Sequence, residues 1–167
     1  MKKRNIILIG MPGAGKSSVG VILAKVLGYE FIDTDLVIQH REKRLLREII
    51  EDEGNEGFLA IENEVNATLE ADKSVIAPGG SAIYGKEAME HFKEIGTIVY
   101  LKLSYEDLAK RLGNLKGRGV VLKEGQTLKD LYDERSKLYE QYAEITVDES
   151  GRDIQGTILA LREQIGM

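Results

Sequence analysis

Between residues 10 and 17 the chain reads Gly-Met-Pro-Gly-Ala-Gly-Lys-Ser, and these residue types at this spacing can hold a phosphate chain. Gly10, Gly15, Lys16 and Ser17 fit the pattern G-x-x-x-x-G-K-[ST] without a gap. Gly10, Gly13 and Gly15 can take backbone angles denied to residues with a Cβ, and they let the main chain approach an anion closely. Successive amides over Gly13, Ala14, Gly15, Lys16, Ser17 and Ser18 would form a nest at the positive end of a helix beginning near Lys16. The Lys16 ammonium would neutralise β- and γ-phosphate oxygens, and the Ser17 hydroxyl would hold a magnesium ion bridging them. The competing reading is a glycine-rich turn with nothing bound. An apolar run before the turn and a helical pattern after it favour the phosphate site.

Asp33 and Asp35 flank Thr34 at the end of the next apolar segment. Two carboxylates at alternating positions can serve two partners. Asp33 would hold the magnesium, directly or through water, and Asp35 would orient an acceptor hydroxyl for attack. The alternative is that Asp35 caps the helix that follows. Transfer of a phosphoryl group also needs positive charge around the migrating group and exclusion of water. The candidate donors are Arg111, Arg118 and Arg135. Arg118 stands between Gly117 and Gly119 with nothing apolar to anchor it, whereas Arg111 sits on a helical face where it can pair with Asp107. His40 and His91 are isolated from each other and read as surface residues. Tyr132, Tyr139 and Tyr142 have helical spacing and read as packing residues.

The elements that must position these groups follow from periodicity. An apolar strand precedes Gly10. Val19, Ile22, Leu23, Val26 and Leu27 then recur as in a helix that Gly28 stops. YEFID, KSVIAP, TIVYLKL and EITVD read as four further strands. Helical patterns cover Lys86 to Glu94, Tyr105 to Leu112, Leu128 to Ala143 and Ile154 to Ile165. Residues 36–71 read as two helical pieces joined by a turn over 53–57, an inserted helical flap. Residues 113–125, rich in glycine and charge, read as a mobile lid. Strands alternating with helices predict an α/β fold, a five-stranded parallel sheet with helices on both faces. In such sheets the ligand sits beyond the carboxyl ends of the strands. That rule gathers Gly10 to Ser17, Asp33, Asp35, Gly79 and Gly80 at one edge.

A length of 167 residues fits one domain, with 43% apolar and 31% charged residues, a globular composition. The net charge of −5 and the lack of a long basic run disfavour nucleic acid as a partner. No cysteine is present, which excludes disulfides, thiolate metal sites and a cysteine nucleophile. The basic opening before an apolar run is too short for a signal peptide, and no stretch reaches the roughly 20 apolar residues of a membrane span. A cytoplasmic monomer that works on a small molecule is the default expectation.

Taken together, GMPGAGKSSVG, FIDTD, VIAPGG, RLGNLKGR and ERSKLYEQYAEITVD, in this order and spacing, resemble the shikimate kinase family of small phosphate-loop kinases nearly end to end. The resemblance implies a P-loop fold of the nucleoside monophosphate kinase type, ATP and Mg2+ as co-substrates, and phosphorylation of a hydroxyl of shikimate. It implies Lys16 and Ser17 as phosphate and magnesium ligands, Asp33 as the magnesium-associated aspartate and Asp35 as the acceptor-binding one. Gly79 and Gly80 match substrate-binding glycines. Arg111 matches an arginine lying against adenine, Arg118 the catalytic arginine of the lid, and Arg135 a carboxylate-binding arginine.

Three positions depart from the family pattern. The usual Phe-Arg pair on the acceptor side is Phe58-Leu59, the third glycine of the substrate loop is Ser81, and the lid has Gly119 where proline is usual. Loss of one charge-assisted hydrogen bond costs about 1.5–3 kcal/mol, roughly 10- to 150-fold in affinity. An apolar Leu59 facing the pocket would favour an acceptor with less negative charge. The expected activity is an ATP-dependent kinase with shikimate as the leading acceptor. Against it stand a kinase for another hydroxylated acid or polyol, a nucleotide-binding module without efficient transfer, and a nucleoside or nucleotide kinase.

Overall fold

The computed structural model describes residues 4–112 and 125–167. Five strands form one parallel sheet: β1 (Asn5–Ile9), β2 (Glu30–Asp33), β3 (Ser74–Ala77), β4 (Gly96–Lys102) and β5 (Ile145–Asp148), in the order β2-β3-β1-β4-β5. All five residues of β1 are buried, as expected of a central parallel strand covered on both faces. Its side chains alternate between two cores. Ile7 and Ile9 join Ile76, Ile98 and Tyr100 on one face, and Ile6 and Leu8 join Val75, Val99 and Leu101 on the other.

Helices cover both faces because their apolar stripes match these two sets. α1 (Lys16–Leu27) and α7 (Ile154–Ile165) bring Val19, Leu23, Ile158 and Leu161 to the second face. α4 (Lys86–Ile95), α5 (Tyr105–Leu112) and α6 (Leu128–Tyr142) bring Phe92, Leu108, Leu131 and Tyr139 to the first. α2 (Thr34–Glu42) and α3 (Leu46–Ala67) close a third, smaller cluster of Ile38, Ile49, Phe58 and Val65. Gly28 ends α1 in the left-handed conformation, as its position predicts.

Two helical pieces meet within 53–57 as expected: α3 kinks at Gly54, which lies outside helical geometry at φ 75°. A further break lies earlier, where Lys43 adopts φ 54° at the end of α2. A left-handed lysine carries no local signal, and its conformation is set by the packing of the two helices. His91 is also not a free surface residue, because its Nε2 lies 2.6 Å from the Leu69 carbonyl oxygen. Among the described residues no helix is long and apolar enough to cross a membrane.

At the amino ends of the strands, Asn5 ties three segments together. Its Nδ2 donates to the carbonyls of Ala71 and Ile95 at 2.9 and 3.0 Å, and its Oδ1 accepts from the Ser74 amide at 3.0 Å. Replacing Asn5 by Ala orphans three buried backbone groups, which at about 1 kcal/mol each removes about 3 kcal/mol of stability. The thermal unfolding temperature of Asn5→Ala should therefore fall by about 6–12 °C.

Candidate active site

The carboxyl ends of β1, β2 and β3 open into a cleft of about 350 Å3 lined by Pro12, Gly13, Gly15 to Ser18, Asp33, Asp35, Leu46, Phe58, Glu62, Ala77 to Ser81 and Arg135. The edge predicted from strand order is the edge observed. On its nucleotide side the loop after β1 carries Gly10, Gly13 and Gly15 at φ 155°, 88° and 82°, all left-handed. A Cβ on Gly10 would stand 2.8 Å from the Leu101 carbonyl oxygen, so that position is closed to any side chain. The Lys16 ammonium donates to the carbonyls of Gly10 and Met11 at 2.7 and 2.9 Å. Burial pulls its pKa down to about 8 against the opposing pull of Asp35, with Arg135 lowering it further.

Ser17 and Ser18 are exposed and border the cleft. Ala14 does not line it: its side chain is buried and its amide donates to the Met11 carbonyl at 3.0 Å. Arg111 turns toward the loop rather than toward Asp107, with Nη1 donating to the Gly13 carbonyl at 3.1 Å. Arg118 lies outside the described residues, as does the rest of the expected lid up to residue 124.

The two aspartates divide their work differently from the simplest expectation. Asp33, not Asp35, caps α2, accepting from the Asp35 amide at 2.9 Å through Oδ1. The cap turns Asp35 inward beside Gly79, where its Oδ1 lies 2.9 Å from the place a Cβ would take. Burial and the neighbouring Asp33 raise the Asp35 pKa to about 6, against Lys16, which lowers it.

Across the cleft, Arg135 is 1% exposed and sits 5.5 Å from the Tyr84 ring centroid. Gly80 separates Arg135 from Pro12, since a Cβ there would meet Pro12 Cδ at 2.7 Å and Arg135 Nη1 at 3.0 Å. Tyr139 locks the same glycine by donating to its carbonyl at 2.7 Å. Phe58 lines the cleft, but Leu59 does not. It packs against the cluster of Ile38, Ile49, Phe58 and Val65, so the expected apolar wall at residue 59 is not formed.

Two acids went unmarked in the sequence. Glu62 follows Phe58 by one turn on the inward face of α3, and an acid on an apolar stripe is the signal that would have found it. Glu149, after β5, is 6% exposed, and its Oε1 lies 3.9 Å from the position of a Cβ on Gly15. Burial raises its pKa to about 7, opposed by Arg111 and Lys16. No sequence pattern marks it, because β5 reaches the loop only through the sheet order.

The donor set also suits a hard cation. Ser17 and Asp33 offer oxygen ligands on one side of the cleft, and the Asp33 cap uses only one carboxylate oxygen. Among the described residues no group of three His, Cys, Asp or Glu side chains could hold a metal by itself. That composition suits magnesium, which is bound through few protein oxygens together with phosphate and water.

The family model for shikimate kinase matches residues 12–165. A shikimate kinase of Vibrio cholerae is 36% identical over 169 residues, spanning 98% of this chain and 97% of that protein. Shikimate kinase 2 of Yersinia pseudotuberculosis is 34% identical over 154 residues, 87% of this chain and 86% of that one. The structure of shikimate kinase from Acinetobacter baumannii in complex with shikimate aligns with a TM-score of 0.85 at 33% identity, covering 97% of this chain and 92% of the other. A parallel sheet closed at its carboxyl edge by a phosphate loop, matched over nearly its whole length in sequence and in three dimensions, places this chain in the shikimate kinase family.

Proposed function

We propose that the chain transfers the γ-phosphoryl group of ATP to a hydroxyl of shikimate, giving ADP and 3-phosphoshikimate. The observation that carries this reading is a single cleft with a buried ammonium and a glycine-rich loop on one side, and Asp35 and Arg135 on the other. An acceptor with an acid at one end and hydroxyls at the other matches that spread of charge.

In this reading Arg135 takes the carboxylate, and Gly79 and Gly80 let the ring approach the backbone. Asp35 orients the hydroxyl and accepts its proton as oxygen attacks the γ-phosphorus and the bond to the β-bridging oxygen breaks. The loop amides and Lys16 cradle the β- and γ-phosphates. Ser17 and Asp33 would hold Mg2+, which supplies charge neutralisation on the phosphate oxygens. Arg111 lies against the adenine, and Arg118 supplies positive charge to the migrating phosphoryl group. Phe58 excludes water from the acceptor side.

Purified protein with ATP, Mg2+ and shikimate should release ADP in step with 3-phosphoshikimate. Turnover no faster than background ATP hydrolysis would remove shikimate as the acceptor. Lys16→Ala and Arg118→Ala should each lower kcat by about a hundredfold or more and raise KM far less, the pattern of groups that act in the transition state. Steady-state kinetics check this, and retained kcat in both variants would overturn these roles.

A further inference from the structure

Glu62 is 1% exposed on α3, yet it borders the acceptor side of the cleft. Its Oε1 accepts a hydrogen bond of 2.6 Å from the Ser81 hydroxyl. Its Oε2 is fully buried without a hydrogen-bond partner and lies 3.1 Å from the place a Cβ on Gly79 would take. A buried carboxyl oxygen left unpaired beside a ligand cleft costs free energy until something binds to it. Glu62 therefore has a carboxyl oxygen that no side chain or backbone group of the cleft satisfies.

The charges around it decide in which form it is filled. Asp35 faces Glu62 from α2 and Arg135 from α6, with Ser81 between β3 and α4. Behind Asp35 stand Asp33 and Lys16. Behind Arg135 stands Tyr84, itself hydrogen-bonded to Glu134. On the α4 side, Glu87 is taken by Asn63. Residue 59 stands three positions before Glu62, the spacing at which an arginine would reach its carboxylate. Leu59 is partly buried against apolar neighbours instead, so residue 59 brings no cation to that acid. With Asp33, Asp35 and Glu62 all ionised, the cleft would set three carboxylates beside an acidic acceptor.

We propose that Glu62, held by the Ser81 hydroxyl, binds the acceptor as a neutral carboxylic acid, donating from Oε2–H to the acceptor's carboxylate beside Arg135. A neutral acid supplies the donor that an arginine at 59 would have given and removes one repelling charge. Ser81, the residue that departs from the family's third glycine, fixes the Oε1 side and leaves Oε2 beside Gly79 at the cleft wall. Burial raises the Glu62 pKa to about 7, the Ser81 hydrogen bond and Arg135 opposing and Asp35 adding to it. The neutral form is present below that value and is lost as pH rises through it. Affinity for the acidic acceptor falls in the same direction.

This inference rests on the acidic acceptor proposed above, and wild-type turnover of shikimate at about pH 6.5 tests that reading separately. The KM for shikimate is then measured from about pH 6 to about pH 8.5 at saturating ATP in wild type and Glu62→Gln, whose amide always donates. In wild type it should rise about tenfold or more across that range while the KM for ATP stays level, and in Glu62→Gln it should stay low and flat. Binding of shikimate carboxamide, which has no acid to receive the proton, should show no such pH dependence in wild type. A Glu62→Gln profile that follows wild type, or a KM raised at every pH in a variant with unchanged unfolding temperature, would overturn the proposal. So would an equal pH dependence for the carboxamide.

Discussion

The Lys16 ammonium, seated on the Gly10 and Met11 carbonyl oxygens, is the contact on which the arrangement of the cleft depends. It joins the first turn of α1 to the end of the central strand, so loop, helix and sheet share one anchor. The loop can take this shape only because Gly10, Gly13 and Gly15 are left-handed, and Gly10 has the Leu101 carbonyl against it. The strand in turn is held by burial on both faces, which leaves its carboxyl end little freedom to shift. The glycine-rich loop is thus the tip of a rigid body.

Around that anchor the site carries an electrostatic load. Burial raises the pKa values of Asp35, Glu62 and Glu149 and lowers that of Lys16, each against its charged form. For the three acids the folded chain holds protons that the unfolded chain has released, so their contribution to stability declines as pH rises from about 4 toward about 7. For Lys16 the unfolded chain holds the extra proton only between the folded value of about 8 and the unfolded value of 10.5, so its buried charge opposes folding below that window and the penalty is lifted as pH rises through it. These four groups, three of them lining the cleft, weaken the fold under the conditions in which it would work. Bound phosphate stabilises the ammonium, and an acceptor stabilises the acids, which is how a destabilised site gains affinity.

The acceptor side shows how a departure at one residue is absorbed by its neighbours. Loss of an arginine at 59 looks in the chain like loss of charge from the pocket. In the fold Leu59 packs against the cluster under α2 and α3, and Glu62 and Ser81 form a hydrogen-bonded pair at the cleft. Arg135 remains, buried against Tyr84 and close to Gly80. The chemistry of that wall belongs to the pair and the remaining arginine together.

The phosphate loop, the five strands and the sheet edge that carries the site were legible in the sequence, because each rests on local periodicity or on glycines at fixed spacing. The pairing of Asp33 with the α2 amino end was only half legible. Either aspartate suits a cap, and the turn out of β2 chose Asp33 and aimed Asp35 at Gly79. The left-handed Lys43 and the inward position of Glu62 came from packing between α2, α3 and the sheet, which no window of the chain contains. Glu149 reaches Gly15 only because β5 and the loop after β1 end at the same edge of the sheet. Short-range backbone preferences are written in consecutive residues. Burial and charge proximity are set by segments far apart in the chain, and those two quantities fix the protonation of the acids in the cleft.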